Sequence, residues 1–265
     1  MTAQETKHRQ RSKVPEIAIG FWIIKIAATA LGWTATQLIT GTLGDNHPNP
    51  SSRLLLATAA VAAIGVAALV YVQVNARKFD RWMYWLTFAI ATVCATSVAV
   101  LVERSYSSPY PLGSLVLLAC FLAVLFAWHR TLGAIDIEMV ADANIEAFYW
   151  TSILLGQTLG FQLGDAVAAA GLGYAGAAAL FGLIIAALAY GHFKTSANEV
   201  LLFWGAFVLT CPLSAALVDF LFKPLGHGGL ALSPPGGSIV LLLAVLAFVY
   251  ILPPRSARHA KEGRS

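Results

Sequence analysis

The sequence predicts an all-α integral membrane protein of eight transmembrane helices, arranged as four parallel two-helix repeats with both termini in the cytoplasm. Three observations predict it. Hydrophobic residues make up 58% of the 265 and charged residues only 11%, against about 25% charged in a soluble domain. The apolar residues gather in uncharged runs long enough to cross a hydrocarbon core, so a water-soluble globule is excluded. One pattern, built around a tryptophan, returns four times along the chain.

The repeat aligns on Trp22, Trp85, Trp150 and Trp204. Each has an acid four to six residues upstream: Glu16, Asp80, Glu146 and Glu199. Ten residues after the tryptophan come Gly32, Ala95, Gly160 and Ser214, all small. Fifteen after it come Gln37, Val100, Asp165 and Asp219. The repeat units run at about 15–76, 77–132, 144–192 and 197–252, within one transmembrane domain spanning 15–252.

Taken in order, residues 1–14 form a polar, basic tail expected to be disordered in the cytoplasm. Pro15 precedes a first span at about 17–40, and an Ala-, Val- and Leu-rich second span runs at about 53–75. A basic link with Arg77, Lys78 and Arg81 leads to a third at about 82–103. Pro111 opens the fourth, which ends near Trp128. A polar connection at about 129–144, with Asp136, Glu138 and Asp142, divides the chain into two halves. Spans five to eight follow at about 145–169, 173–191, 198–221 and 237–252, and Pro253 and Pro254 end the last before a basic tail at 253–265.

Basic residues concentrate before span one, between spans two and three, and in the tail; the opposite loops offer Arg53, Arg104 and Lys223. Positive-inside bias therefore places both termini in the cytoplasm, and the first span is expected to act as an uncleaved anchor. The net charge of +4 sits in short loops and gives no footprint for nucleic acid. Cys94, Cys120 and Cys211 fall inside apolar runs, as packing residues do. No HExxH, GxSxG, Walker or CxxC motif points to an enzyme, and no cofactor is implied.

Helical rise places the polar residues in depth. Fifteen residues past the tryptophan is roughly 22 Å along the axis, so Asp165 and Asp219 share one level in the outer third of a core about 30 Å thick. Thr158 and Gln162 lie on the Asp165 face of span five, and Thr34 and Gln37 occupy the same positions in span one. An ionised carboxylate facing lipid costs of order 3 kcal/mol, so these faces are expected to look into the bundle. Two acids at one depth could bind a cation or metal ion, or share a proton. They could equally serve as helix caps or as hydrogen-bond partners of neighbouring helices.

The upstream acids fit helix first turns, where negative charge complements the macrodipole. The small residues ten past the tryptophan, with Gly156 and Gly164, fit close helix approach. Pro212 removes the amide that would bond the Val208 carbonyl and is expected to kink span seven. Lys25, three residues past Trp22, is expected to snorkel to the cytoplasmic surface or to pair with an acid such as Glu146, with a gate or substrate contact as the alternative. His129 and His192 end even-numbered spans and raise a redox alternative.

Three stretches carry a resemblance: KVPEIAIGFWIIKIAATALG (Lys13 to Gly32), EAFYWTSILLGQTLGFQLGD (Glu146 to Asp165) and NEVLLFWGAFVLTCPLSAALVD (Asn198 to Asp219). They resemble the bacterial polytopic integral membrane family built from a "repeat of unknown function", membrane-anchored proteins of uncharacterised activity. Where the family's first repeat reads Gly-Glu and then Asp, this chain has Gly32, Trp33 and Gln37, and Val100 stands where the second commonly has Asp. The resemblance implies an eight-span architecture and brings no substrate.

The function expected from these residues is a small secondary transporter or exporter in the bacterial inner membrane. Its partners would be the lipid bilayer and a cation or small polar solute, met by Asp165, Asp219, Gln37, Gln162, Thr34 and Lys25. The alternatives are a non-transporting scaffold or subunit of a membrane complex, and a redox or enzyme component. The ligand, the coupling ion and the oligomeric state are not encoded in any motif.

Overall fold

The computed structural model describes residues 13–41, 51–76, 79–105, 111–133, 135, 143–194, 198–222, 225, 230–232 and 234–252. Among them lie eight long helices: α1 Ile19–Thr40, α2 Ser52–Asn75, α3 Arg81–Ser105, α4 Pro111–Leu132, α5 Ala143–Val167, α6 Gly173–Lys194, α7 Glu199–Phe222 and α8 Pro234–Ile251. A π-helical turn, Ala168–Leu172, joins α5 to α6 and bends at Gly171, whose φ of 102° suits a residue without Cβ. Six helices contain stretches long and apolar enough to cross a membrane: Ile19–Thr40, Ser52–Asn75, Arg81–Ser105, Leu112–Leu132, Ala175–His192 and Glu199–Asp219.

The other two fall short of the eight expected spans for different reasons. The apolar part of α8, Gly236–Ile251, is short. α5 is 25 residues long but carries Asn144, Glu146, Gln157, Gln162 and Asp165. Three other helices pack around it, so it needs less apolar surface than a helix facing lipid.

Local chemistry sets the ends. Ser51 caps α2, its Oγ accepting from the Leu54 amide at 3.2 Å. Asp80 caps α3, accepting from the amides of Trp82 and Met83 at 2.8 and 3.0 Å. Asn198 does the same for α7 through Val200 and Leu201. Gly41 closes α1 in the left-handed conformation at φ 69°. The expected run of first-turn acids is thus corrected: Glu146 and Glu199 occupy first turns, Asp80 is a cap, and Glu16 stands three residues ahead of α1.

α1, α3, α5 and α7 form a closed ring, each packed on two others in the order α1–α3–α5–α7. α2 packs outside on α3, α4 on α5, α6 on α7, and α8 on α1. Each outer helix therefore lies mainly against the next ring helix in the chain, and α8 returns to the first. The ring helices run in one direction and stand at one height. Phe21 meets Phe203 at 6.1 Å between ring centroids, Tyr84 and Tyr149 share a hydroxyl hydrogen bond of 2.6 Å, and Phe21 lies 5.7 Å from Trp85. These aromatic residues sit at, or one position before, the four aligned tryptophans.

The stretch ahead of α1 is packed, which corrects part of the expected disordered tail. Val14 is 3% exposed and belongs to the main core, and Lys13 Nζ lies 2.8 Å from Glu146 Oε1 while donating to the Val74 carbonyl at 2.7 Å. Residues 1–12, the basic pair Arg77 and Lys78, the loop acids Asp136, Glu138 and Asp142, Lys223 and the tail 253–265 lie outside the described residues.

Candidate functional site

The ring encloses an axis filled in layers, counted from the aligned tryptophans. Three residues past them come Lys25, Phe88, Ile153 and Phe207, all 0% exposed. Seven past them come Thr29, Thr92, Gln157 and Cys211, again all 0% exposed and all polar or thiol-bearing. The next layer, Gly32, Ala95, Gly160 and Ser214, holds the close approaches.

Those approaches occur at equivalent places in the two halves. A Cβ on Gly32 would stand 2.8 Å from the Ala89 carbonyl and 2.5 Å from Thr92 Cβ. A Cβ on Gly160 would run into the Val208 carbonyl and stand 2.7 Å from Cys211 Cβ. Ala89 and Val208 both lie four past their tryptophans, and Thr92 and Cys211 both lie seven past. Pro212 denies the Val208 carbonyl its usual helical amide, and that oxygen packs against Gly160. α7 nevertheless continues as one helix through Pro212, from Glu199 to Phe222.

Lys25 corrects the expectation made for it. It neither snorkels nor meets Glu146, whose partner is Lys13. Its side chain crosses to α7, where Nζ donates to the Phe207 carbonyl at 2.7 Å, to Thr210 Oγ1, and to Cys211 Sγ at 3.6 Å. The ammonium also lies 4.2 Å from the centre of the Phe207 ring, within cation–π range. The Thr210 hydroxyl itself donates to the Phe207 carbonyl at 2.9 Å, so the contacts form a connected set. Its acceptors carry no full charge, and they lie three, six and seven residues past Trp204, from the level of the Lys25 Cα to one turn beyond it.

The other expected site residues divide. Asp219 is 7% exposed on α7, and Asp165 is partly buried on α5, so the acids belong to adjacent parallel ring helices. Thr34 is 0% exposed with no hydrogen-bond partner for Oγ1, and Gln37 is partly buried above it on α1. Gln162, 1% exposed, is drawn to α3: Nε2 donates to the Ala99 carbonyl at 3.1 Å, leaving Oε1 without a partner. Thr158 satisfies itself on the Leu154 carbonyl of its own helix at 2.8 Å, the usual resort of a hydroxyl in an apolar core.

His129 and His192 stand exposed in the last turns of α4 and α6, outside the ring. Among the described residues no three of His, Cys, Asp and Glu gather to hold a metal ion.

Gln157 is the residue that sequence reasoning missed. It is fully buried, and both its Nε2 and its Oε1 are without partners. The alignment carried a signal for it, since position seven reads Thr, Thr, Gln and Cys in the four copies. No protein-family model, curated protein or solved structure matches the chain.

Proposed function

We propose that this chain is a small multi-pass transporter or exporter of a cation or small polar solute, working between two four-helix halves. Asp165 and Asp219 would supply the negative charge, Gln37, Thr34 and Gln162 the neutral polar lining, and Lys25 a contact nearer the tryptophan level. One observation carries the reading. Thr34, Gln162 and Asp219 are buried in a chain whose outer helices expose large apolar side chains such as Val61, Leu122, Leu183 and Val240. Polar and ionisable groups kept at membrane depth on interior faces commonly line a pathway.

The matching contacts of Gly32 and Gly160 support a repeated architecture, with halves related by an axis along the membrane normal. Eight spans with both termini inside belong to the same reading, which draws on the distribution of basic residues and on the resemblance to the repeat-built bacterial membrane family. Rocking of the halves would work at the α1–α7 and α3–α5 interfaces and would have to move the exchanged helices, α4 on α5 and α8 on α1, with them.

A second reading, a scaffold or subunit of a membrane complex, draws on the filled axis, whose layers three and seven residues past the tryptophans are wholly buried. The test is a thermal-shift screen of the purified protein over metal cations, polyamines and pH, with Asp165→Asn and Asp219→Asn beside the wild type. A saturable stabilisation lost in both folded variants, followed by uptake of that ligand into proteoliposomes, is the expected result. No response across the panel, with both variants destabilised, would leave the scaffold.

A further inference from the structure

We infer that the buried polar layer at the centre of the ring, around Lys25, Thr29 and Gln157, is a binding site for a small monovalent anion, halide or carboxylate. The inference does not rest on the acids proposed for cation binding, which lie about eight residues, roughly 12 Å, further along the axis.

Two deficits meet at this level. The first is charge. Lys25 is 0% exposed, and its partners are a carbonyl, a hydroxyl, a thiol and an aromatic face. Among the described residues no carboxylate pairs with it, and Glu146, the acid expected as its partner, meets Lys13 instead. Neutral acceptors lower the cost of burying a cation but leave its charge uncompensated, and a nearby anion is the usual remedy. The ammonium also has a proton to offer. Two of its three hydrogens meet oxygen, while the third points to Cys211 Sγ at 3.6 Å, a weak acceptor that an anion would outcompete.

The second deficit is hydrogen bonding. Thr29 Oγ1 and both polar atoms of Gln157 are buried without partners, although buried polar atoms are ordinarily satisfied. Thr92, in the same layer, bonds the Phe88 carbonyl of its own helix at 3.0 Å, and Thr210 bonds the Phe207 carbonyl. Local satisfaction is therefore open to hydroxyls here, and Thr29 does not take it.

Position joins the two deficits. Thr29 lies one turn beyond Lys25 on the same face of α1, the turn to which the ammonium reaches. Gln157 lies between Gly156 and Gly160, which pack on the Phe207 ring and on Cys211 Cβ. Lys25 from α1 and the Gly156–Gly160 turn of α5, which carries Gln157, thus border the same turn of α7, Phe207–Cys211, from its two ring neighbours. An ammonium, an amide N–H donor and a hydroxyl at one level form a donor set suited to an anion, which their side chains would have to part to admit, since all three are 0% exposed in this packing. The fully apolar residues Phe88 and Ile153 one layer below would exclude water from that side.

The test is a thermal-shift titration of purified full-length protein with sodium chloride, bromide or acetate replacing sodium gluconate at constant ionic strength. The wild type is expected to show a saturable, anion-specific rise in Tm, with halides and acetate distinguished by their half-saturating concentrations. Lys25→Met is expected to abolish it and Gln157→Leu to weaken the apparent affinity about tenfold. A linear response common to gluconate, or none, in the wild type would overturn the inference whatever the variants do. Unchanged affinity in Gln157→Leu would overturn it even if Lys25→Met failed to fold.

Discussion

A single missing Cβ decides the packing of the ring at two places. At Gly160 the neighbour that a methyl group would strike is the Val208 carbonyl, part of a helix backbone that cannot rotate away. Gly32 faces the same kind of obstacle in the Ala89 carbonyl at 2.8 Å. Gly160→Ala and Gly32→Ala are therefore expected to destabilise the protein by about 1–3 kcal/mol each. Gly182→Ala in α6, where nothing lies within 4 Å, is expected to be neutral or to stabilise by up to about 1 kcal/mol through helix propensity. Thermal unfolding of the three variants in one detergent checks this, and equal losses at all three positions would refute it. The glycines were legible as close-approach sites because small residues recur at one position of the repeat. The destination of Lys25 was not. Depth arithmetic placed its Cα correctly, but a four-carbon side chain reaches a full turn either way, and only the neighbouring helix determines which.

At the scale of the element, helix ends followed the sequence closely because their signals are local. Pro111, Asp80, Asn198 and Gly41 each act on the adjacent turn. The stretch ahead of α1 was misread because its composition is that of a solvated tail, while its role depends on a distant acid. Glu146 sits at 2% side-chain exposure, and its partner among the described residues is Lys13, itself 14% exposed and also tied to the Val74 carbonyl. The pair is asymmetric. Removing Lys13 strands a buried carboxylate, whereas removing the charge of Glu146 leaves an ammonium that keeps a carbonyl and some water. Lys13→Met is therefore expected to lower stability at neutral pH by on the order of 3 kcal/mol, and Glu146→Gln by distinctly less. Equal losses, or a larger loss for Glu146→Gln, would mean that the strap is held by Val14 and Pro15 in the core and that the ion pair contributes little.

For the whole molecule, which helix lies beside which is the information that the sequence withheld. Periodicity and spacing predict repeated helix pairs, but apolar outer faces are chemically alike, so nothing local tells α2 to lie on α3 instead of α1. The observed order has a mechanical consequence. α4, from the first half of the chain, packs on α5, with its Phe121 reaching Trp204 of α7 at 5.6 Å, both in the second half. α8, from the second half, packs chiefly on α1 in the first. Each half thus lends one helix to the other, and the ring closes only when both are present. Cutting the chain between α4 and α5, within 133–142, should leave two fragments that are unstable alone and associate when co-expressed. Without α7 and α8, α1 would lose both the acceptors of Lys25 and its outer partner, leaving an unpaired ammonium in the bilayer. Co-purification of an untagged half with a tagged one, and rapid loss of either expressed singly, is the expected result. Two halves that each accumulate and resist proteolysis alone would mean that the exchanged helices contribute little, and that each half folds on its own contacts. Where the halves are lost singly, as expected, Lys25→Met should let the first half survive by itself better than its parent, because the orphaned charge contributes to making that fragment untenable.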